Sequence, residues 1–217
     1  MKISIIMPSY LGEYKGAASN RETKILRAID SVINQTYEDW ELYIVADGCR
    51  KTFDIVENRY SGHPKIEMSL INKQPLWSGK VRNFGIEHCT GEWVCYCDTD
   101  DFLGKNHLQI IANNTFEHDW LFFDDMVLRS NRELQFNVDT NAFHQRKCHP
   151  NKQGQNGTSN IAHKKSLGVL WKDETYLHDF KFLQELKSKS KNWAFIKGGE
   201  YHVCHLPDLK NKKGFDV

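Results

Sequence analysis

Short apolar runs of strand length alternate with amphipathic runs of helix length along the amino-terminal half of the chain, and this alternation constrains the fold more than any other feature. The strand-like runs are residues 2–7, 40–45, 65–71 and 93–97. The helix-like runs between them are residues 21–34, 52–60 and 80–88. Strands that alternate with helices build βαβ units. The sequence therefore predicts a Rossmann-like α/β fold with a mostly parallel central sheet.

The carboxyl-terminal half has a weaker pattern. Its predicted elements are a strand pair at 120–128 and 134–138, an amphipathic helix at 177–187, and short strands at 193–196 and 201–206. Residues 141–160 are rich in Asn, Gln, His and Lys, so we expect an irregular, mobile loop there. A chain of 217 residues with 40% apolar content can bury one full core. We therefore expect residues 1–217 to form a single domain.

Charge and hydropathy exclude several classes of partner. Lys and Arg number 29 against 28 Asp and Glu, and no long block of one sign would follow a phosphate backbone, so nucleic acid is not an expected partner. The longest apolar runs, such as residues 3–7 and 120–123, fall far short of the ~20 residues of a spanning helix. With no apolar leader after Met1, the expected location is cytoplasmic. The six cysteines show no metal-site spacing, and we expect buried thiols in a reducing compartment.

Polar residues follow three of the predicted strands at the point where each strand ends. They are Pro8-Ser9-Tyr10, Asp47-Gly48 and Asp98-Thr99-Asp100-Asp101. In open α/β sheets ligands bind outside the carboxyl ends of the strands, so these three groups are expected to meet in one crevice. The acidic group supplies the carboxylate oxygens that Mg²⁺ or Mn²⁺ prefers, together with substrate phosphates. The alternative is an acidic turn or a helix cap, for which Asp is also favoured.

Five segments, in this order along the chain, resemble the inverting family 2 glycosyltransferases, which have the GT-A fold. They are ISIIMPSY at 3–10, AIDSVINQTY at 28–37, ELYIVADGC at 41–49, GKVRNFG at 79–85 and GEWVCYCDTDD at 91–101. The resemblance implies metal-dependent transfer of a sugar from a nucleotide sugar, most often a UDP-sugar, to a hydroxyl of a glycan or other acceptor. It also implies a nucleotide-sugar-binding half, residues 1–101, and an acceptor-binding half, residues 102–217.

The resemblance assigns roles to matching residues. Pro8, Ser9, Tyr10 and Asp47 would hold the nucleotide base, and Arg82 and Asn83 would border the base and the diphosphate. Asp98 would meet the ribose or the metal, with Thr99 beside it, and Asp100 would ligate Mn²⁺ or Mg²⁺. Asp101 would act as a cap or as support for its neighbours.

A looser resemblance covers residues 171–180, WKDETYLHDF, where Asp179 falls on the position of the family's catalytic base. A carboxylate there can draw the proton from an attacking hydroxyl. Asp173 and Glu174 are the competing carboxylates if the register is shifted. A late His completes the metal site in related enzymes, and His205 is favoured over His202 because it lies nearer the expected strand exit.

The sequence departs from the family pattern at two positions, and two other classes of function stay open. Ala46 stands where the family often has Asp, and His178 replaces the Glu before the expected base. The alternatives are a sugar-phosphate nucleotidyltransferase and a non-catalytic nucleotide- or sugar-binding module. A nucleotidyltransferase of related architecture would carry a Gly-rich basic loop after the first strand, whereas residues 9–14 read SYLGEY. A binding module would tolerate loss of the acidic group and of Asp179, which only an assay can test.

Overall fold

The computed structural model of the chain describes residues 1–14, 20–75, 77–128, 143–172 and 177–204. The strands are β1 (Ile3–Ser9), β2 (Trp40–Asp47), β3 (Ile66–Ile71), β4 (Trp93–Tyr96), β5 (Phe102–Leu103), β6 (Trp120–Phe123), β7 (Asp125–Leu128), β8 (Phe143–Arg146), β9 (Ile161–Lys164), β10 (Trp193–Ile196) and β11 (Tyr201–Val203). The helices are α1 (Arg21–Ile33), α2 (Arg50–Tyr60), α3 (Gly79–His88), α4 (His107–Asn114) and α5 (His178–Lys189).

A seven-stranded sheet with the order β10-β6-β9-β4-β1-β2-β3 forms the centre of the fold. β1 pairs in parallel with β2 and β4, β2 with β3, and β10 with β6. β9 is antiparallel to both of its neighbours, β4 and β6. The prediction of an α/β fold with a mostly parallel sheet is therefore confirmed.

Both faces of this sheet are buried, which explains why its strands read as continuous apolar runs. Ile5 and Met7 point to one face and pack in a core with α1 and α4. Ile6, between them in sequence, points to the other face and packs with residues of α3 and α5. Side chains of a strand alternate between its two faces, so a single strand serves both cores.

Two glycines allow close approaches that shape the site. A Cβ atom on Gly85 would lie 2.6 Å from Ile6 Cγ2, so glycine lets α3 pack directly on β1. Gly48, after β2, has φ +63°, and a Cβ there would lie 2.7 Å from the Lys73 backbone nitrogen. Only glycine adopts that conformation without strain at such a distance. The turns after β2 and β3 are thereby held against each other.

The second half departs from the sequence prediction in several places. The run 120–128 is divided at Asp124 between β6, in the main sheet, and β7, in a second sheet with the order β5-β11-β7-β8. β7 pairs with β8, and the predicted partner 134–138 lies outside the described residues. An irregular loop over 141–160 is wrong at the two ends of the described part, which form β8 and a buried 3₁₀ turn at Thr158–Asn160. Residues 147–157 contain neither helix nor strand, as predicted. β5, α4 and β9 were not predicted.

None of the helices in the described part of the chain combines the length and apolar character that crossing a bilayer requires. All six cysteines are buried and free, as their scattered spacing indicated.

Candidate active site

A cavity of about 230 Å³ lies at the carboxyl ends of β1, β2 and β4, beside the start of α3. It is lined by Pro8, Ser9, Tyr10, Tyr14, Asp47, Ser78, Val81, Arg82, Asp98, Thr99 and Asp100. The three polar groups that follow predicted strands therefore meet, as the sheet topology requires. Pro8 and Ser9 belong to β1 itself, not to a turn after it.

A larger cavity, of about 570 Å³, lies at the opposite end of the sheet. Residues at the amino ends of β1, β2 and β3, including Lys2, Glu41 and Glu67, line it. The Glu41 carboxylate accepts bonds from the Ser4 hydroxyl and from the backbone N–H groups of Thr90 and Gly91. Its hydrogen-bonding role is structural, and the smaller cavity is the one placed where sheets of this kind bind ligands.

Arg82, which is buried, and Asp98, which is half-buried, form an ion pair in the wall of the smaller cavity. Arg82 Nη2 donates to Asp98 Oδ1 at 2.7 Å, and the Thr158 hydroxyl donates to Asp98 Oδ2 at 2.9 Å. Burial alone raises the pKa of the Asp98 carboxyl, but the charge of Arg82 and these two hydrogen bonds outweigh it and hold the pKa below 3.8. Asp98 is therefore ionised and fixed in orientation at neutral pH.

An aromatic ring also lies against the Arg82 guanidinium. Its Cζ lies 5.1 Å from the centroid of the Trp171 ring, a cation–π contact. Nε and Nη1 of Arg82 are buried and have no hydrogen-bond partner within the described residues. Arg82 is only 4% exposed, so its charge is balanced in this structure mainly by Asp98.

Asn83 does not line the cavity and instead fixes Trp171. Its side chain accepts a bond from the Trp171 N–H at 2.7 Å and donates to the Trp171 carbonyl at 2.9 Å. The Trp171 indole N–H donates to the Tyr96 hydroxyl at 3.1 Å, and its ring stacks on Phe182 at 4.0 Å. The structure thus places Asn83 beneath the wall of the cavity, where it positions the ring that covers Arg82.

Asp47 is 7% exposed and is held by the turn after β3. Its Oδ2 accepts from Lys73 Nζ at 2.6 Å, and its Oδ1 accepts from the Gln74 N–H at 2.6 Å. Lys73 Nζ also lies 4.7 Å from the centroid of the Tyr10 ring. Because each carboxylate oxygen has two lone pairs, Asp47 can still accept further hydrogen bonds.

The loop after β1 is fastened by Arg21. The Arg21 guanidinium donates to the carbonyls of Tyr10 at 3.0 Å and Gly12 at 2.7 Å, and it lies 4.8 Å from the centroid of the Tyr14 ring. Tyr14 stacks on Tyr10 at 6.3 Å and is 46% exposed. Two aromatic rings therefore form one rim of the cavity.

Asp100 and Asp101 have different environments. Asp100 lines the cavity, whereas Asp101 is 3% exposed and its Oδ1 accepts from the Cys204 N–H at 2.7 Å. Burial raises the pKa of Asp101 well above 3.8, and the charges of Asp100 and Asp98 raise it further. Asp101 thus ties the acidic turn to the chain just after β11, and its role as a cap or as support for its neighbours stays a prediction.

The donor atoms in the cavity fit a hard divalent cation bound largely by its substrate. Mg²⁺ and Mn²⁺ are usually held by one or two protein carboxylates and by substrate phosphates. Asp100 and Asp98 provide that minimal oxygen set on the wall of the cavity. Across the described ranges, no group of three or more His, Cys, Asp or Glu side chains surrounds a common point. The predicted ligand His205 lies outside the described residues, and its neighbour His202 is buried and stacked on Phe102 at 4.5 Å.

Asp179 lies in the first turn of α5 and interacts electrostatically with Arg82. Its Oδ1 is 3.7 Å from His178 Nε2 and, within the described residues, is buried without a hydrogen-bond partner. Burial raises the pKa of the Asp179 carboxyl above 3.8; the charges of His178 and Arg82 act to lower it, and that of Asp98 to raise it. The competing Asp173 and Glu174 lie outside the described residues.

Comparison with known proteins identifies the relatives of the chain. Residues 4–168 match the family described as Glycosyl transferase family 2. Poly(ribitol-phosphate) beta-N-acetylglucosaminyltransferase TarS of Staphylococcus aureus is 30% identical over 121 residues, which are 54% of this chain and 19% of that protein. The first curated relatives are likewise longer, since the chain spans 18% to 39% of their length.

Solved structures share the fold. The crystal structure of S. aureus TarS 1-349 in complex with UDP-GlcNAc superposes with a TM-score of 0.71 at 16% identity, covering 98% of this chain and 62% of that one. A mannosyltransferase from Pyrobaculum calidifontis, in complex with GDP-Man and Mn²⁺, gives a TM-score of 0.62 at 15% identity, covering 94% and 57%. The sheet and these likenesses define the class of the protein as an α/β protein of the GT-A fold. The chain belongs to glycosyl transferase family 2.

Proposed function

We propose that this protein transfers a sugar from a UDP-sugar to an acceptor hydroxyl with inversion of configuration, assisted by Mn²⁺ or Mg²⁺. The observation that carries the proposal is the cavity itself. Asp47, Arg82, Asp98 and Asp100, which the family motifs single out, come from three separate segments and line one space at the strand ends. About 230 Å³ is less than a nucleotide sugar needs, so the donor would extend past the Tyr14 rim.

The base is proposed to lie against Tyr10 and Asp47. A ring imide N–H of uracil can donate to a lone pair of Asp47 that Lys73 and Gln74 leave available. Pro8 and Ser9 would form the floor of this part of the site, and Thr99 would border the ribose with Asp98. The solved TarS structures in complex with UDP and UDP-GlcNAc, which share the fold, support a uridine donor.

Asp100 is proposed to hold the metal, with Asp98 beside it and His205 as a third candidate ligand. When bound, the cation would neutralise charge that develops on the departing diphosphate. Asp98 is already bound by Arg82 and Thr158. Arg82 therefore places a positive charge on the same wall, and Asp98 is better suited to orienting groups than to acting as the main ligand.

The protein's own chemical step is proton removal by Asp179. As the acceptor oxygen attacks the anomeric carbon, its proton passes to the Asp179 carboxylate, and the bond to the nucleoside diphosphate breaks on the opposite side. A single in-line displacement of this kind inverts the configuration. The buried oxygen of Asp179 without a partner, close to the charges of Arg82 and Asp98, is consistent with a base that awaits a donor proton.

The division of labour between the halves forms part of the proposal. Among the described residues, those that line the cavity belong to residues 1–101, and Asp179 belongs to residues 102–217. A cytoplasmic location stays a prediction from the sequence. The nucleotidyltransferase alternative is disfavoured by the loop after β1, which presents Tyr10 and Tyr14 to the cavity where that class needs a Gly-rich phosphate loop.

Replacing Asp47 should weaken UDP binding selectively. Hydrogen bonds to charged groups contribute ~1.5–3 kcal/mol, so we expect Asp47→Asn and Asp47→Ala to raise the Kd for UDP by at least roughly tenfold. Calorimetry of UDP binding measures this. Lys73→Met serves as the comparison, because it removes the partner of Asp47 and leaves the carboxylate. If UDP and ADP compete equally for the unaltered protein, the assignment of Asp47 to the base is wrong.

The pH dependence of transfer should report the raised pKa of Asp179. A general base works only when ionised, and its protonated fraction grows as the pH falls through its pKa. Because burial raises this pKa above 3.8, we expect kcat/KM to decline on an acid limb centred above that of an ordinary Asp. Initial rates across acid pH, at fixed metal saturation, test this expectation. An acid limb centred at or below pH 3.8 would contradict the assignment of Asp179 as the general base.

A further inference from the structure

An exposed tryptophan stands at the junction between the donor cavity and the candidate base. Trp77 directly precedes Ser78, a lining residue of the cavity, and its side chain is 42% exposed. Its ring centroid lies 6.0 Å from that of His178, with the planes tilted by 44°. His178 in turn contacts Asp179 at 3.7 Å. One side chain therefore separates the Trp77 ring from the proposed catalytic carboxylate.

In the described part of the chain, Trp77 is not among the residues that pack against either hydrophobic core. Large apolar side chains are normally buried, and Trp171, whose ring also contacts His178, is 3% exposed. His178 thus lies between a buried indole and an exposed one, next to the base. Aromatic side chains that remain exposed beside a polar reaction centre are frequent ligand contacts.

We propose that Trp77 is the platform of the acceptor subsite and that the acceptor is a cyclic sugar. One face of a pyranose ring presents C–H groups and is apolar, while its rim carries hydroxyls. A ring stacked by that face on Trp77 would direct its rim hydroxyls toward His178 and Asp179. The inference rests on the proposed function, since it names the acceptor for the step that Asp179 is proposed to catalyse.

An open-chain polyol is the competing acceptor chemistry. Ribitol offers hydroxyls but no rigid apolar face, so it would gain little from a flat indole. The TarS relative is named for poly(ribitol-phosphate), which makes ribitol the sharpest comparison. A site that recognises the sugar ring should prefer pyranosides to ribitol, and that preference should depend on the ring at position 77.

The test is a saturation-transfer NMR titration that measures binding of methyl pyranosides to the protein, with and without UDP and Mn²⁺. The panel contains the glucoside, galactoside and N-acetylglucosaminide, with ribitol as the comparison. We expect Trp77→Ala to weaken the best pyranoside by roughly tenfold, the scale of one aromatic contact, and Trp77→Phe to weaken it by less than about threefold. Phe116→Ala is the matched control, because Phe116 is 94% exposed and does not line the cavity.

Any of three results overturns the inference. The unaltered protein binds no pyranoside, the Trp77→Ala variant binds pyranosides as tightly as the unaltered protein does, or ribitol binds the unaltered protein as tightly as the pyranosides do. Calorimetry with UDP on the same variants shows whether the donor site is intact. If the unaltered protein does not bind UDP, the result counts against the proposed function. The pyranoside titration without UDP still tests the role of Trp77 in that case. The two failures are therefore distinguishable.

Discussion

Asp179→Asn is expected to lower the rate of sugar transfer by roughly two to four orders of magnitude, the range typical of losing a positioned acid or base. The amide has the shape of the carboxylate but cannot accept the proton of the acceptor hydroxyl. UDP affinity should change little, because Asp179 does not line the donor cavity. Initial transfer rates at saturating donor, paired with UDP calorimetry on the same preparation, measure both effects.

The control is Glu185→Gln, which removes a carboxylate from the same helix. Glu185 pairs with Lys172 and is 37% exposed, so its loss should leave transfer within about twofold. A parallel loss of UDP binding in Asp179→Asn would mean that Asp179 supports the donor site. Near-normal transfer in Asp179→Asn, together with inactive Asp173→Asn or Glu174→Gln, would move the base to one of those residues.

Asp100→Ala is expected to abolish the effect of metal on the donor. Unaltered protein should bind UDP more tightly with Mn²⁺ or Mg²⁺ than with chelator, and the variant should show no difference. Loss of a cation that stabilises the leaving diphosphate removes several kcal/mol, so transfer should fall by roughly two orders of magnitude or more. Calorimetry and initial rates, each with metal and with chelator, give the two readouts.

Asp54→Ala tests whether loss of any negative charge has this effect. Asp54 lies on α2, pairs with Arg50 and is 50% exposed, so its removal should alter neither readout. Metal-independent UDP binding and transfer by the unaltered protein would contradict the role of Asp100, although the nucleotide site could still be real.

The donor side of the site was predictable because it depends on strand ends. β1, β2 and β4 are short apolar runs, and a parallel sheet places their carboxyl ends on one edge. Polar residues directly after those runs must then lie together. Asp47, Asp98 and Asp100 were found in this way. Family motifs added Arg82, which is buried in α3 but, being charged, does not stand out in the apolar periodicity of that helix.

Contacts made by distant segments were not predictable. Thr158 reaches Asp98 from a polar stretch because a 3₁₀ turn is held in place by Asp125, which accepts hydrogen bonds from Ser159, Asn160 and Arg146. Nothing in the local sequence of that turn specifies this network. Trp171 and Asn83 are likewise joined across 88 positions of sequence. The division of 120–128 was missed because two short apolar runs, separated only by Asp124 and Asp125, supply strands to two different sheets.

The central claim is that the chain uses a UDP-sugar, with metal, as a glycosyl donor. The most direct test of this claim measures nucleotide release from UDP-, GDP- and dTDP-sugars. Each donor is assayed with Mn²⁺, with Mg²⁺ and with chelator. We predict that UDP is released from at least one UDP-sugar, that GDP- and dTDP-sugars with the same sugar are poor donors, and that chelator stops the reaction. Binding of UDP without release of nucleotide from any donor, with or without a pyranoside acceptor, would contradict the claim and favour a non-catalytic binding module.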